Sequence, residues 1–403
     1  MGYIGSSALA IGAAVAVVLA IIIAFHDLAL ERLRKYCTPT AEEAEWAAAY
    51  VEISDDDVDV LEYGEEQLGG AESFLEEPEG SLLTGLWDGR IVRLLNERQL
   101  QHVASTGVHY GTACSLERQK RESTRCSRPL GLQFASAPTK GEKTINLVVC
   151  DGWRGLLEVP VPSWEQAELG THPTPPSATR ELLKGRGSAQ LHIANAITEK
   201  VDGKFFVTDS SARSDAGRFG LIAFEGASTG TGRLLSVDLT TDTAEVVGDG
   251  IPFANGAVVT YDRSGVLVSA LSARQIRFYP INPQSSTESG WRPVVTLPIP
   301  PDNITRVQVE RKQLYAAVSY TAPFLPPFVG NCETGSLLQQ LRAAAWTAFS
   351  RVVMRLLPSS FFDMLIKVSA SRSKRGGQVI LFDEEGKIYR WLSRQSSHFV
   401  KFA

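Results

Sequence analysis

Five strand–turn–strand units recur along the chain, and this repetition restricts the folds open to it. The first two units turn at Asp88-Gly89 and Asp151-Gly152, which are two-residue signals typical of β-hairpins. A small residue takes a comparable place in each unit, at intervals of roughly 48 to 65 residues. These residues are Gly85, Cys150, Thr208, Ser269 and Ala317. A pair of β-sandwiches does not explain that repeat, so we predict an all-β fold, a β-propeller with long loops.

One late segment breaks the β pattern. Residues 336–375 place apolar side chains at helical spacing, with Pro358 between two halves. We therefore predict a helical insertion in a late blade. Its apolar side chains alternate with Arg and Lys, so residues 337–375 suit either contact with an anionic membrane surface or a lid packed on the propeller.

The N-terminus has a different character. Residues 4–25 are uncharged and, apart from Ser6 and Ser7, apolar, and about 20 such residues span the hydrocarbon core of a bilayer. No Lys or Arg precedes them, unlike in a cleaved signal peptide. We predict an uncleaved signal-anchor transmembrane helix in 1–25, an acidic juxtamembrane linker in 26–66 with some helix around 41–51, and a propeller in 67–403. The positive charges after the span favour, taken alone, a cytoplasmic location for the residues on its C-terminal side.

Charge and cysteine content exclude two classes of function. The formal net charge of the 403 residues is −5, and no basic face dominates, so we expect no binding to nucleic acid. The five cysteines form no CxxC pair or Cys/His cluster, which disfavours a zinc site. Cys114 and Cys126 bracket a polar stretch, and the residues alone leave open whether they are bonded.

Four short stretches carry oxygen-donor side chains in turn-like settings. The donors are Glu72, Asn195, Asn255, Asp302 and Asn303. A ring of repeats would bring them to a common axis, where two carboxylates and three amides suit Ca²⁺, which takes six to eight oxygen ligands. The set has no soft ligand, so zinc and copper are disfavoured. Taken singly, each Asn equally suits a turn that caps its own backbone.

Several motifs resemble one known family in order and spacing. They lie at 71–74, 85–94, 126–134, 202–211, 232–238, 253–256 and 301–304. Over roughly residues 67–392 the chain resembles the strictosidine synthase-like family, in its adipocyte plasma membrane-associated protein branch, within the paraoxonase-like superfamily. The resemblance implies a six-bladed propeller and a Cys114–Cys126 disulfide. It also implies a single-pass type II membrane protein of the secretory pathway or plasma membrane, with the propeller lumenal or extracellular.

The resemblance further implies a site and a reaction. It places Glu72, Asn195, Asn255, Asp302 and Asn303 on the calcium-ligand positions of the paraoxonase-like relatives. We therefore expect a calcium-dependent ester or lactone hydrolase of the arylesterase type, in which Asn195 and Asp302 position the attacking water. Those relatives carry a histidine where this chain has Leu130. His192 is the candidate replacement base, and an ordinary strand histidine is its alternative interpretation.

Two other functions stay open. One is a membrane-tethered binding propeller in which calcium only braces the centre. The other, less expected, is a strictosidine synthase-type condensation of an amine with an aldehyde, because the late segment that carries the key glutamate in that enzyme has no counterpart before Ala403. Asn303-Ile304-Thr305 is also a glycosylation sequon, which we expect to stay unmodified if Asn303 binds a metal.

Overall fold

The computed structural model describes residues 48–52, 68–95, 99–108, 110, 114, 126–166, 173–183, 191–213, 230–282, 290–297, 299–320 and 376–395. The regular structure in these residues is mainly β-strand. The strands are β1 (Tyr50–Glu52), β2 (Phe74–Glu76), β3 (Leu82–Gly85), β4 (Arg90–Leu94), β5 (Leu100–Ser105), β6 (Pro129–Phe134), β7 (Thr144–Asp151), β8 (Gly155–Pro162), β9 (Arg180–Leu183), β10 (Ala194–Ile197), β11 (Phe205–Asp209), β12 (Gly232–Asp238), β13 (Thr243–Ile251), β14 (Ala254–Val259), β15 (Gly265–Ala270), β16 (Gln275–Pro280), β17 (Arg292–Thr296), β18 (Ile304–Val309), β19 (Lys312–Tyr320), β20 (Gly376–Phe382) and β21 (Ile388–Gln395). Short 3-10 helices lie at Trp164–Gln166, Pro176–Ala178 and Leu271–Ala273.

These strands form five antiparallel sheets, each built from four strands consecutive in the chain. We name them sheet I (β2–β5), sheet II (β6–β9), sheet III (β10–β13), sheet IV (β14–β17) and sheet V (β18–β21). Strand β1 adds a fifth, parallel strand to the outer edge of sheet V. The all-β propeller is therefore confirmed, with five blades in the described part of the chain.

The repeated small residues all lie in the second strand of their sheets, and packing explains why they are small. A Cβ added at Gly85 would lie 2.5 Å from the carbonyl oxygen of Pro129, in the first strand of sheet II. Cys150 Sγ lies 3.5 Å from the carbonyl oxygen of Ala196 in sheet III. These positions face the first strand of the next sheet, where a large side chain would separate the two sheets.

Apolar cores fill the spaces between successive sheets. One cluster joins sheets I and II, and others join II to III, III to IV and IV to V. Side chains alternate across a strand, so Ile91 enters the core shared with sheet II while Val92 lies in a separate cluster on the opposite face. Sheet V likewise carries Tyr315 in the core shared with sheet IV, and Leu314 and Ala316 in a cluster on its other face.

Several sequence expectations concern residues outside the described ones. The segment 4–25 and the insertion 336–375 both lie there, as does most of the linker 26–66. Within the described ranges, no helix combines the length and the apolarity needed to cross a bilayer. The helix expected around 41–51 is wrong at its end. Tyr50–Glu52 is a strand, because it pairs with Trp391–Ser393 and packs Tyr50 edge-on against Trp391 at 5.0 Å between ring centroids.

Candidate metal site

The candidate ligands lie where the first strands of the sheets begin. The first strands β2, β6, β10, β14 and β18 contact one another in chain order. Asn303 Nδ2, just before β18, donates a hydrogen bond to the carbonyl oxygen of Glu72, just before β2 (2.5 Å). The beginnings of the last and the first sheet are thereby joined, and the five predicted side chains come from four neighbouring sheets.

A shared β-bulge sets the direction of the two strand asparagines. The register shifts between Ala194 and Ile197 in β10 and between Ala254 and Ala257 in β14. Asn195 and Asn255 each follow the first residue of the shift. A bulge inserts an extra residue and re-aims its side chain, so the same irregularity places an amide at the same point of sheets III and IV.

Sheet II carries the same bulge without a polar side chain. Its register shifts between Pro129 and Leu132, and Leu130 takes the place that Asn195 and Asn255 take in the next two sheets. Leu130 is buried. Sheet II therefore has no titratable side chain at residue 130, where the family resemblance implies a base.

Four of the five predicted ligands are buried, and Asn303 is half-buried. Glu72, Asn195, Asn255 and Asp302 are 9%, 2%, 1% and 5% exposed. The Asn195 amide is oriented, because its Nδ2 donates to Ser210 Oγ (3.0 Å), which in turn donates to the carbonyl oxygen of Ala254 (2.9 Å). Its Oδ1 is the end left for a ligand.

Asn255 provides the most telling atom of the site. Its Oδ1 is buried and accepts no hydrogen bond from the described residues. Leaving a buried acceptor without a donor costs about 1–3 kcal/mol, and such an atom calls for a ligand, a water or an ion. The carbonyl oxygen of Asn255 accepts a bond from Thr208 Oγ1 (2.6 Å), so the backbone is fixed while the side-chain oxygen stays available.

Two glycines bring the first strands close together. A Cβ added at Gly131 would lie 2.6 Å from the carbonyl oxygen of Asn195, and one added at Gly256 would lie 2.7 Å from Asn303 Cα. Gly256 N also donates to the carbonyl oxygen of Asp302 (3.0 Å). Any side chain at these positions would separate the ligand-bearing strands.

The charge balance of the site includes a residue that sequence reasoning missed. Arg128 Nη2 lies 3.6 Å from Glu72 Oε2, and both side chains are largely buried. Within the described ranges no three or more His, Cys, Asp or Glu residues cluster as a metal site, so the candidate set depends on amides together with two carboxylates. That donor set fits a hard cation such as Ca²⁺.

Two other buried carboxylates shape the loops beside the site. Asp151 accepts backbone N–H bonds from Arg128, Trp153 and Arg154 (3.0–3.1 Å), and Asp209 takes the equivalent place in sheet III. Burial raises the pKa of both carboxyl groups. The signal was present in the sequence, because each Asp directly follows a repeated small residue.

The suggested base, His192, is held by its backbone rather than by its ring. Its N–H donates to Asp209 Oδ1 (3.1 Å), and the residue is half-buried three positions before Asn195. Its role in proton transfer stays a prediction.

The predicted disulfide between Cys114 and Cys126 is confirmed, and it precedes β6.

An apolar group lies on the same end of the sheets as these ligands. In an antiparallel blade the first strand begins, and the second ends, at one end of the sheet, so the turns after β7 and β15 share that end with Asn195 and Asn255. Trp153 and Leu271 from those turns pack with Ile193 and Phe253. This apolar group and the candidate ligands therefore lie at the same end of the sheets.

Comparison with known proteins matches this architecture to one family. A family model described as strictosidine synthase matches residues 195–283, which include Asn195 and Asn255. Strictosidine synthase-like 13 of Arabidopsis thaliana is 28% identical over 329 residues, which are 79% of this chain and 73% of that protein. The chain is thus similar to the strictosidine synthase family, with likeness to its members over most of its length.

Similar proteins also occur in animals. The adipocyte plasma membrane-associated protein of Rattus norvegicus is 27% identical over 83% of this chain and 80% of its own length. Among solved structures, a Xanthomonas campestris gluconolactonase covers 80% of this chain and 75% of its own at 12% identity and a TM-score of 0.43. The calcium-binding protein regucalcin of Agrobacterium tumefaciens covers 81% and 75% at 8% identity and a TM-score of 0.42. Both structural likenesses are too weak to bear on activity.

Proposed function

We propose that this protein is an arylesterase-type hydrolase of esters or lactones. It would bind Ca²⁺ through Glu72, Asn195, Asn255, Asp302 and Asn303. The observation that carries the proposal is the buried Asn255 Oδ1, which has no hydrogen-bond donor among the described residues. It lies near the beginning of β14, and the other candidate donors lie near the beginnings of β2, β10 and β18. An oxygen-only donor set of this kind suits a hard divalent cation.

Three of the residues have proposed roles in hydrolysis. Bound calcium supplies Lewis-acid polarisation of a carbonyl oxygen. Asn195, oriented by Ser210, and the buried carboxylate of Asp302 position the attacking water. His192 is the candidate base.

The apolar group at this end of the sheets supports an ester or lactone with an apolar part. Trp153, Leu271, Ile193 and Phe253 pack together on the ligand end of sheets II to IV. Trp153 Nε1 is buried without a hydrogen-bond acceptor among the described residues, so a substrate oxygen could accept from it. Apolar walls with a few polar groups are typical of small-molecule sites.

A second function has one observation in its favour. Leu130 fills the bulge of sheet II where a titratable side chain would face the site, and this favours a binding propeller in which calcium is structural. A site that binds calcium, in a protein that hydrolyses no ester or lactone tested, would identify that function.

Purified protein separates these proposals. We expect Ca²⁺ binding by calorimetry, and hydrolysis of phenyl acetate or of members of a lactone panel that EGTA abolishes. Asp302→Ala should lose both, whereas Asp249→Ala, which removes an exposed carboxylate from β13, should keep both. Binding without turnover across the panel would support the binding propeller, and failure of wild-type protein to bind Ca²⁺ would overturn both.

Membrane attachment is a further part of the proposal. We propose that residues 4–25 anchor the protein and that residues 337–375 add a surface contact, with the propeller on the lumenal or extracellular side. The name of the rat relative, plasma membrane-associated, supports membrane attachment.

We also propose a sixth sheet, as the resemblance implies. The separate apolar clusters on the faces of sheets I and V that do not pack on sheets II and IV support a sixth sheet between them.

A further inference from the structure

The Glu72 carboxylate already has a positively charged neighbour. Arg128 Nη2 is 3.6 Å from Glu72 Oε2, with the side chains 18% and 8% exposed. This separation is too long for a hydrogen bond but short enough for a strong Coulombic attraction at a partly buried location. The chain itself thus places a positive charge beside Glu72.

The backbone of Arg128 is fixed, so this proximity is built into the fold. Its N–H donates to Asp151 Oδ2 (3.0 Å), and its carbonyl oxygen accepts from Gly152 N (2.9 Å). The residue therefore enters β6 at a position set by the β7–β8 turn.

We propose that Arg128 and a divalent cation compete for Glu72, so that Arg128 sets the calcium affinity of the site. This inference rests on the proposed metal site. A cation bound to the Glu72 carboxylate meets the positive charge of the guanidinium, and the two repel each other unless Arg128 turns away. Metal binding is thereby coupled to release of an ion pair, and the site is weaker for calcium than its five donors alone would make it.

Removing the guanidinium tests the competition. Arg128→Gln should tighten Ca²⁺ binding by about tenfold or more in calorimetry, since a nearby like charge is lost. Arg128→Lys keeps the positive charge and should stay near the wild-type affinity. The matched control is Arg154→Gln, which changes charge equally on the neighbouring turn, starts from the same side-chain exposure of 18% and breaks a pair with Glu181. It should leave the affinity within about twofold.

Thermal melting provides a second readout that a merely structural role would not produce. Without metal, Arg128→Gln should melt below wild type, because Glu72 then lies beside no positive partner. Its rise in Tm on saturation with calcium should exceed that of wild type. A simple loss of packing would lower both melting temperatures and leave the rise unchanged.

The outcomes separate this inference from the proposed site. Tighter binding by Arg128→Gln than by wild type supports the competition. Calcium binding by wild type with unchanged or weaker binding by Arg128→Gln overturns the competition and leaves the site standing. Binding by neither protein overturns the site itself, and the competition with it.

Discussion

At the residue scale, a buried ion pair fixes the outer part of sheet I to sheet II. Arg93 and Glu77 are almost fully buried. Two bonds join the guanidinium to the Glu77 carboxylate (2.5 and 2.8 Å), and further bonds reach Gln101 Oε1 (2.8 Å) and the carbonyl oxygen of Pro162 (2.6 Å). Ser81 Oγ also donates to Glu77 (2.7 Å). The pair is satisfied only as a complete network.

Removal of one partner of this pair should destabilise the propeller strongly. Glu77→Ala leaves the Arg93 charge buried without its counter-ion, which costs about 3–5 kcal/mol. The free energy of unfolding in urea measures the loss. The double variant Glu77→Leu with Arg93→Met should recover most of it, and a double variant no more stable than Glu77→Ala would show that the charge is not the cause.

Protonation of His102 should make the free energy of unfolding depend on pH. It is half-buried on β5, its Nε2 lies 2.9 Å from the carbonyl oxygen of Ala104, and burial lowers its pKa below the ordinary value of 6.5. The unfolded chain therefore binds the proton more readily than the folded chain, so stability falls as the pH falls below the unfolded value. Between about pH 7.5 and about pH 5.5, His102→Gln should lose less unfolding free energy than wild type. Parallel pH curves for the two proteins would contradict this.

At the element scale, the bulged first strands define the site. Strands β6, β10 and β14 share one register shift, and glycines let them approach one another. If the proposed site binds metal, we expect its affinity to depend on strand spacing as well as on the ligands.

Gly131→Ala should weaken calcium binding without touching a ligand. The new Cβ would lie 2.6 Å from the carbonyl oxygen of Asn195, so β6 and β10 must separate, at a cost of about 1–3 kcal/mol of overpacking. Gly203→Ala is the control, because Gly203 has a φ of 82° in an open turn at the other end of sheet III. It should lose similar stability, about 1–2 kcal/mol, with unchanged calcium affinity. Equal affinities in both variants would refute a role for strand spacing.

At the scale of the whole molecule, one ion would bind to four sheets at once. Its ligands precede or belong to β2, β10, β14 and β18, so occupancy should make the sheets more cooperative. Ligands stabilise those parts of a protein that must stay folded for binding.

Amide hydrogen exchange tests this cooperativity. Calcium should slow exchange at the beginnings of β2, β10, β14 and β18 together, and less at β6, which carries Leu130 and no candidate ligand. Asn195→Ala should abolish the protection in all four strands, because they share one ion. Protection confined to sheet III would show a local ion in place of a shared one.

Local pattern predicted much of the fold. The Asp-Gly turns and the small residues Gly85, Cys150, Thr208, Ser269 and Ala317 correctly predicted the second strands of five sheets, because turn chemistry and strand alternation are properties of neighbouring residues. Strand β1 was missed, because Tyr50–Glu52 gains its partner from β21, more than three hundred positions later. The metal ligands were predicted through family resemblance, and their chemistry stays a prediction.

The sequence by itself determined the β-rich repeats and the oxygen donors available to a cation, and the family resemblance implied the one disulfide described. Only the tertiary structure decided that Arg128 lies against Glu72, that Leu130 occupies the same bulge as Asn195 and Asn255, and that Asp151 and Asp209 accept backbone N–H bonds beside the candidate site. Each of these depends on contacts between sheets. Such contacts join residues distant in the chain, and the pattern of neighbouring residues carries no record of them.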